Sequence, residues 1–445
     1  MLSLGLEGLI PIVLYIGFIA VVIMTVFWRP IIGIYFLVPL LPAQSFRDRL
    51  NAFPLGASMV TILVLAVAIG LKIKGRPVFT WSTLRTPLFV YIGYTFVSLC
   101  AGSFYLGHSV PLSPSDPRVG NWRNYITMLL LLFVVSAAVT TTREIRILLA
   151  LMCVSVFFFD RSFWGTASQR DYSSYSEELH DADAGPVGYA GVNGLAAFEA
   201  QVSIAFLSLA AFERKRLLKF AYIGLAGYSA LCLMYSLSRG GYLAFLVGWL
   251  FLGMLKYRKL LLLFAVFAVT WTAVVPNAVR ERVDMTRDND GDLDHSSEVR
   301  VDLWEDAMQT FSTNPVTGTG FDTYAYMQHM SNYRDTHNMF VKVLVETGIV
   351  GMALFLWLLF GCIRAGFRLF RAAADPTHAA IGLALAMWVI CSIAANCFGD
   401  RWTYLQVNGF LWVFAGFAAR AWSLEHQAEA EPAAAEVMPE TLCEA

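Results

Sequence analysis

Residues 241–255 read GYLAFLVGWLFLGML, residues 256–259 read KYRK, and residues 260–275 read LLLLFAVFAVTWTAVV. Two uncharged apolar runs are thus joined by a short connection carrying Lys256, Arg258 and Lys259. Each run approaches the roughly 20 residues a helix needs to cross a hydrocarbon core. In lipid the backbone must satisfy its own hydrogen bonds, which a helix does and an isolated strand does not. A short loop rich in lysine and arginine stays in the cytoplasm. The stretch therefore predicts two transmembrane helices hinged on a cytoplasmic turn.

The same pattern extends in both directions. Apolar segments fall near 10–28, 31–42, 54–71, 87–106, 123–140, 145–159, 193–211, 219–237, 241–255, 259–275, 338–360, 377–397 and 402–419. Because 31–42 is short, eleven to thirteen spans are expected. Hydrophobic residues make up 57% of the chain and charged residues 15%, with mean hydropathy +0.59. A soluble globular protein usually carries about 25% charged residues. No alternating segments of the kind a lipid-exposed barrel requires are present. The fold class expected is all-α: a multi-helix transmembrane domain over 1–419, a large partly helical extracytoplasmic loop at 276–337, and a disordered cytoplasmic tail at 420–445. The tail is rich in alanine and glutamate and has little apolar surface to bury. The first apolar run has no basic leader and no A-x-A-like cleavage site, and is read as a retained helix.

Four basic connections set the orientation. They are Lys72, Lys74, Arg76 and Arg85; Arg214, Lys215, Arg216 and Lys219; Lys256, Arg258 and Lys259; and Arg364, Arg368 and Arg371. Helix alternation puts all four on the cytoplasmic side. The opposite side receives 107–122, 160–192, 238–240, 276–337 and the turn at Asp400 and Arg401. Loop 160–192 sets Asp160, Asp171, Glu177, Glu178, Asp181 and Asp183 against Arg161 and Arg170. The net charge of -1 carries no message, because the sign changes from loop to loop. None of the seven cysteines forms a CxxC pair, so neither a disulfide framework nor a zinc site is suggested.

Within the long loop, residues 298–311 set Val301, Trp304, Met308 and Phe311 on one helical stripe. Asn314-Pro315 ends that helix, and Gly318-Thr-Gly320 makes a tight turn. An amphipathic helix lying over the membrane domain is expected, with Arg300 near its start. Three residues then stand out. Arg239, in Ser238-Arg239-Gly240-Gly241, sits between apolar helices, where it either snorkels to headgroups or points into a cavity. The glycines allow a sharp reversal, and a guanidinium fork matches phosphate oxygens. Arg300 is a second candidate, whose ordinary role would be a salt bridge with Glu298 or Glu305 on a solvated amphipathic helix. His337, with Asn338, lies where the loop re-enters the membrane, as an ordinary interfacial residue or as an acid/base group. Glu346, nine residues on, lies on roughly the opposite helical face. Asp288-Asn-Asp290-Gly-Asp292-Leu-Asp294 suggests calcium at first, but Thr286 and Ser297 occupy the first and twelfth loop positions and break the pattern. A solvated acidic loop is the better reading, and no metal is assigned. No phosphate-binding loop, dinucleotide fingerprint or H-E-x-x-H motif occurs, so no cofactor is expected.

The ordered set of motifs resembles the O-antigen ligase and O-antigen polymerase superfamily. It runs from Gly188-Tyr-Ala-Gly-Val-Asn193-Gly-Leu-Ala196 through Leu237-Ser-Arg239-Gly240-Gly241, Arg300-x-x-x-Trp304, Asn314-Pro315 and Gly318-Thr-Gly320. It ends at His337-Asn338 and Glu346-Thr-Gly348-Ile-Val-Gly351. The family often has Asn-Pro-Asn where this chain has Gly-Val-Asn193. The resemblance implies a metal-independent, glycosyltransferase-like polysaccharide ligase or polymerase in the bacterial inner membrane, multi-pass, with its active site facing the periplasm. The implied donor is a glycan on polyprenyl pyrophosphate, and the acceptor another glycan, a lipid A-core or a protein, in exopolysaccharide or O-antigen assembly. Arg239 and Arg300 would bind pyrophosphate and His337 would activate the acceptor. Asn193, Ser238, Gly240, Gly241, Trp304, Gly318, Gly320, Asn338, Glu346 and Gly348 would support them. Membrane lipids, a flippase and a chain-length regulator are the implied partners, and nucleic acid is not. The alternatives are a polyprenyl-linked glycan transporter or flippase, recognisable by polar residues deep in several helices, and a noncatalytic assembly component.

Overall fold

The computed structural model describes residues 9–285, 295–327 and 335–436, apart from Trp81, Pro114 and Asp183. The calcium-like segment at 286–294 lies outside the described residues. Among the described residues the regular structure is helical throughout. In chain order the α-helices are α1 (Leu9–Phe27), α2 (Ile31–Leu40), α3 (Gln44–Arg47), α4 (Met59–Ile73), α5 (Arg85–Tyr105), α6 (Pro117–Ala138) and α7 (Thr142–Ala167). They continue with α8 (Glu177–Asp181), α9 (Gly191–Ala210), α10 (Arg216–Tyr235), α11 (Arg239–Leu255), α12 (Arg258–Val274), α13 (Asn277–Asp284) and α14 (His295–Thr313). The last three are α15 (Met339–Ala372), α16 (Pro376–Asn396) and α17 (Leu405–Glu436).

Among the described residues, eight helices are long and apolar enough to cross a membrane: α1, α4 with the turn before it, α5, α7, α9 with the turn before it, α10, α15 and α16. The larger expectation of eleven to thirteen also counted α6 and α17, together with shorter or bent segments. α2 and α11 are shorter apolar helices, and α12 meets α13 at a bend of 109°. α9 and α16 form the centre, buried along almost their whole length. α9 packs on α10, α11 and α16, while α17 lies against α6 and α16. Small residues let these helices approach, as small-residue interfaces do in bilayers. A Cβ added at Gly366 would come within 2.7 Å of the Gly382 carbonyl oxygen. The periphery is apolar and exposed, with Leu217, Phe220 and Leu262 outward, the arrangement of a body solvated by lipid.

The basic connections share one face. Arg146 Nη2 donates to Thr377 Oγ1 at 2.8 Å, and Lys256 lies 4.0 Å from the centre of the Phe212 ring. Arg76 donates to the Ala137 carbonyl and Arg420 to that of Thr140 at 2.8 Å. Arg368 stacks over Trp422 at 4.2 Å.

Three expectations are corrected. Helix α14 buries Leu303 and Ala307, while Val301 and Met308 are exposed. The buried stripe is therefore turned from the expected one, because Ala307 packs with Tyr324 and Val345. Asp160 is no loop residue: α7 continues to Ala167 and buries it completely. Lastly, α17 runs past residue 420. Ala421 is buried, and Glu425 accepts hydrogen bonds from the backbone N–H groups of Ala374 and Asp375 at 3.0 and 3.1 Å. Those contacts hold the early part of the expected tail as helix.

Candidate functional site

On the face opposite the basic connections, the break between α16 and α17 brings the distant motifs together. Asn396 turns the chain by accepting the Arg401 N–H at 2.8 Å. Asn408 holds the other side of the turn, donating to the Arg401 carbonyl at 2.9 Å. Three segments meet there. The Met339 N–H donates to the Gly399 carbonyl at 3.0 Å, which docks the start of α15. Gly240 opens α11 next to Phe398, whose Cβ would lie 3.6 Å from a Cβ at that glycine. Gly194, in the first turn of α9, faces the Arg401 stem.

The residues of the Ser-Arg-Gly-Gly motif divide by task. Ser238 precedes α11 and donates from Oγ to Asn193 Oδ1 at 2.6 Å, tying α11 to α9. Gly241 lets the same two helices touch, since a Cβ there would sit 2.6 Å from that of Ala196. Arg239 itself is half-buried at the helix start, within electrostatic reach of Tyr175 together with Arg282 and Glu177. Arg282 lies 4.6 Å over the Tyr175 ring and 3.4 Å from Glu177.

His337 sits in the left-handed region at φ 49°, a conformation uncommon outside glycine. Its neighbours hold that turn. The His337 N–H donates to Asp335 Oδ1 at 3.0 Å. Asn338 caps α15, its Oδ1 accepting from the Phe340 and Val341 N–H groups. Trp304 donates from Nε1 to the Thr336 carbonyl at 2.9 Å, fixing α14 over the segment. Arg300 lies one helical turn before Trp304 and contributes positive potential at His337.

The glycines and Glu346 are built into a support under this turn. Backbone 315–320 runs along the break in α15, with the Gly320 N–H donating to the Glu346 carbonyl at 2.7 Å and Ile349 N–H to that of Pro315 at 3.0 Å. Gly348 breaks the helix at φ 65°, where a Cβ would lie 2.2 Å from the Val316 carbonyl oxygen. Gly318 has φ 71° and the mirror-image restriction against Glu346. Gly320 presses on Gly102. The Glu346 side chain accepts from the Asp322 and Tyr324 N–H groups at 3.0 and 3.2 Å. Its geometry is that of a brace for the loop.

Five charged residues around His337 were not assigned by sequence reasoning. Asp335 Oδ2 lies 3.8 Å from His337 Nδ1 and 3.6 Å from Arg401 Nη1. Lys342 pairs with Asp400 at 2.6 Å and faces Asp322 at 3.9 Å. The signals were present: Lys342 interrupts an apolar run, and Asp400-Arg401 is a charged pair between two apolar segments. What the sequence lacked was the register of the 396–404 turn against α15. Burial lowers the pKa of His337 below the ordinary histidine value. Asp335 works against that shift, and Arg401 and Arg300 reinforce it. The imidazole is therefore held toward its neutral, proton-accepting form at neutral pH.

A second polar group lies deeper. Asp160 on α7, Glu199 on α9 and Cys232 on α10 bring ligand-type atoms within 4.8 Å of one another, all buried. Ser229 donates to Asp160 Oδ2 at 2.8 Å. The spacing is compatible with a metal ion, which the sequence did not suggest, and equally with a proton shared by two carboxyls.

Residues 223–356 match the family model described as O-Antigen ligase. The matched region contains Arg239, Arg300 and His337; Asn193 and the turn at Asp400 and Arg401 lie outside it. Among curated proteins, none matches the chain.

Proposed function

We propose that the protein transfers a glycan from a polyprenyl-pyrophosphate carrier to an acceptor hydroxyl, on the outer face of the bacterial inner membrane. The observation carrying this reading is the convergence of His337, Arg300 and Arg401 on one turn that also abuts the start of α11 at Gly240. The family match over residues 223–356 covers three of the four elements involved. Arg239 and Arg300 bind the pyrophosphate, with Arg401 as a third cation. The apolar flanks of α10 and α11 accommodate the polyprenyl tail.

Chemistry follows from these roles. A sugar hydroxyl is a weak nucleophile, so His337 removes its proton as it attacks the anomeric carbon. With Asp335 facing Nδ1, the tautomer protonated there is favoured, and Nε2 is the basic atom. The bond from the anomeric carbon to the pyrophosphate oxygen breaks, and its electron pair stays on the leaving group. Fixed guanidinium groups stabilise that developing charge. One displacement gives inversion at the anomeric carbon.

The second reading, a transporter for the same carrier lipid, draws on Asp160 and Glu199 buried among the helices, since ionisable groups at membrane depth often mark pathways. Purified protein in vesicles with lipid-linked donor separates the two. Transfer predicts a longer or newly attached glycan together with free polyprenyl pyrophosphate; transport predicts donor translocation without either product. Under the transfer reading, His337→Ala lowers single-turnover transfer by about 10²–10⁴-fold with donor binding kept. Arg239→Lys and Arg300→Lys each weaken donor use, because lysine lacks the bidentate fork. Normal transfer by all three variants at saturating donor would reject these assignments.

A further inference from the structure

On the basic face, remote from the site just described, α7, α9, α10 and α16 enclose a cavity of about 280 Å³. Its mouth carries Arg146, Arg214 and Lys215, together with Glu213 and Asp375. The rest of its wall is apolar: Leu149, Leu209 and Ala380 are buried, while Phe212 and Tyr222 are half-buried and Leu218 is exposed. From this combination we propose that the cavity binds an anionic phospholipid, with the phosphodiester at the basic mouth and an acyl chain along the apolar wall.

The charges favour an anion. Both carboxylates at the mouth are already engaged by backbone donors: Glu213 accepts the Lys215 N–H at 2.8 Å and Asp375 the Thr377 N–H at 2.6 Å. Arg146 is steadied by Thr377 at 2.8 Å and by Asp375 at 3.7 Å. Arg214 and Lys215 form no ion pair with a carboxylate among the described residues. Two exposed cations are thus left at a cavity rim beside a lipid-facing helix. Leu218, 44% exposed, continues the apolar wall onto the outer surface of α10 beside Leu217 and Phe220. A soluble phosphate would use the mouth and leave the wall empty. A zwitterionic lipid would use the wall but bring no net negative charge to a mouth whose three cations outnumber its two carboxylates. An anionic phospholipid satisfies both parts, as basic pockets between membrane helices do for acidic headgroups.

The inference stands independently of the transfer reaction, so its test uses binding. The full chain is purified and placed in nanodiscs of mixed phosphatidylglycerol and phosphatidylcholine. Retained lipid is counted by native mass spectrometry, and thermal unfolding is followed with each lipid alone. Wild type should retain phosphatidylglycerol selectively and unfold at a higher temperature with it than with phosphatidylcholine. The Arg214→Gln/Lys215→Gln variant should bind it roughly 30-fold more weakly, from about 1 kcal/mol for each basic residue near an anionic lipid surface. An Arg258→Gln/Lys259→Gln control, altered at a different basic turn, should keep the selectivity. Equal loss in both variants, or no loss in either, overturns the proposal. So does full stabilisation by inorganic phosphate alone, which would make the cavity a soluble-anion site.

Discussion

Replacing Asp335 by asparagine should move the acid limb of the transfer pH profile to lower pH. The carboxylate lies 3.8 Å from His337 Nδ1, and at that separation two unit charges interact by about 1 kcal/mol in water and about 4 kcal/mol at an effective dielectric of 20. Both side chains are a little over a quarter exposed, at 28% and 27%, so solvent screening puts the interaction at the lower end, about 1–2 kcal/mol. That corresponds to a shift of about one pH unit. The sign follows from the charges. Asp335 stabilises the imidazolium and raises the His337 pKa; burial, Arg401 and Arg300 lower it. Without the carboxylate the pKa falls further, and the neutral base persists to lower pH. Asparagine retains an oxygen that can accept the His337 N–H and so keeps the turn. Its amide nitrogen then replaces Oδ2 beside Nδ1, so the charge is removed and the plateau rate should fall as the tautomer with a basic Nε2 is no longer favoured. The assay is kcat/KM for transfer with purified lipid-linked donor between pH 5 and 8, which reports the free enzyme. Wild type should lose activity below the ordinary histidine range. Asp335→Asn should move that acid limb about one unit lower, on a lower plateau, because the tautomer with a basic Nε2 loses its support. Arg401→Gln should move it the opposite way. The rate at which diethyl pyrocarbonate modifies His337, corrected with His337→Ala, gives the same titration without turnover. An unmoved limb, or one displaced upward in Asp335→Asn, would refute His337 as the base.

Two further perturbations test the supports. Gly348→Ala forces a side chain into φ 65° and toward the Val316 carbonyl; strain alone costs about 1–3 kcal/mol, so a clear drop in the thermal midpoint in detergent is expected, and an unchanged midpoint would remove the argument for the helix break. Glu199→Gln should leave stability equal or raised at neutral pH, because an amide N–H can donate to Asp160 where two carboxyls face each other; marked destabilisation together with loss of a bound metal would identify the group as a metal site instead.

The helical membrane class was legible along the chain because it depends on local quantities. An uncharged run must satisfy its own backbone in lipid, and a lysine-rich turn declares its side whatever its neighbours are. The motifs around Arg239, Arg300 and His337 were legible for a related reason: glycine pairs, a helix cap and a loop re-entry leave marks in adjacent residues. Other features depended on pairings between distant segments. That α14 turns Ala307 inward, and leaves Val301 and Met308 exposed, follows from the shape of Tyr324 and Val345. That Asp160 is buried follows from α7 continuing past the apolar run to meet Glu199 and Ser229. Arg401 belongs beside Asp335 and His337 because Met339 hydrogen-bonds Gly399, some sixty positions away. Local apolarity and charge, readable from sequence, therefore determine that the chain enters the bilayer as helices and which loops are basic. Which charges share a site is decided by helix register, which arises only when small residues such as Gly241 and Gly366 allow particular faces to close.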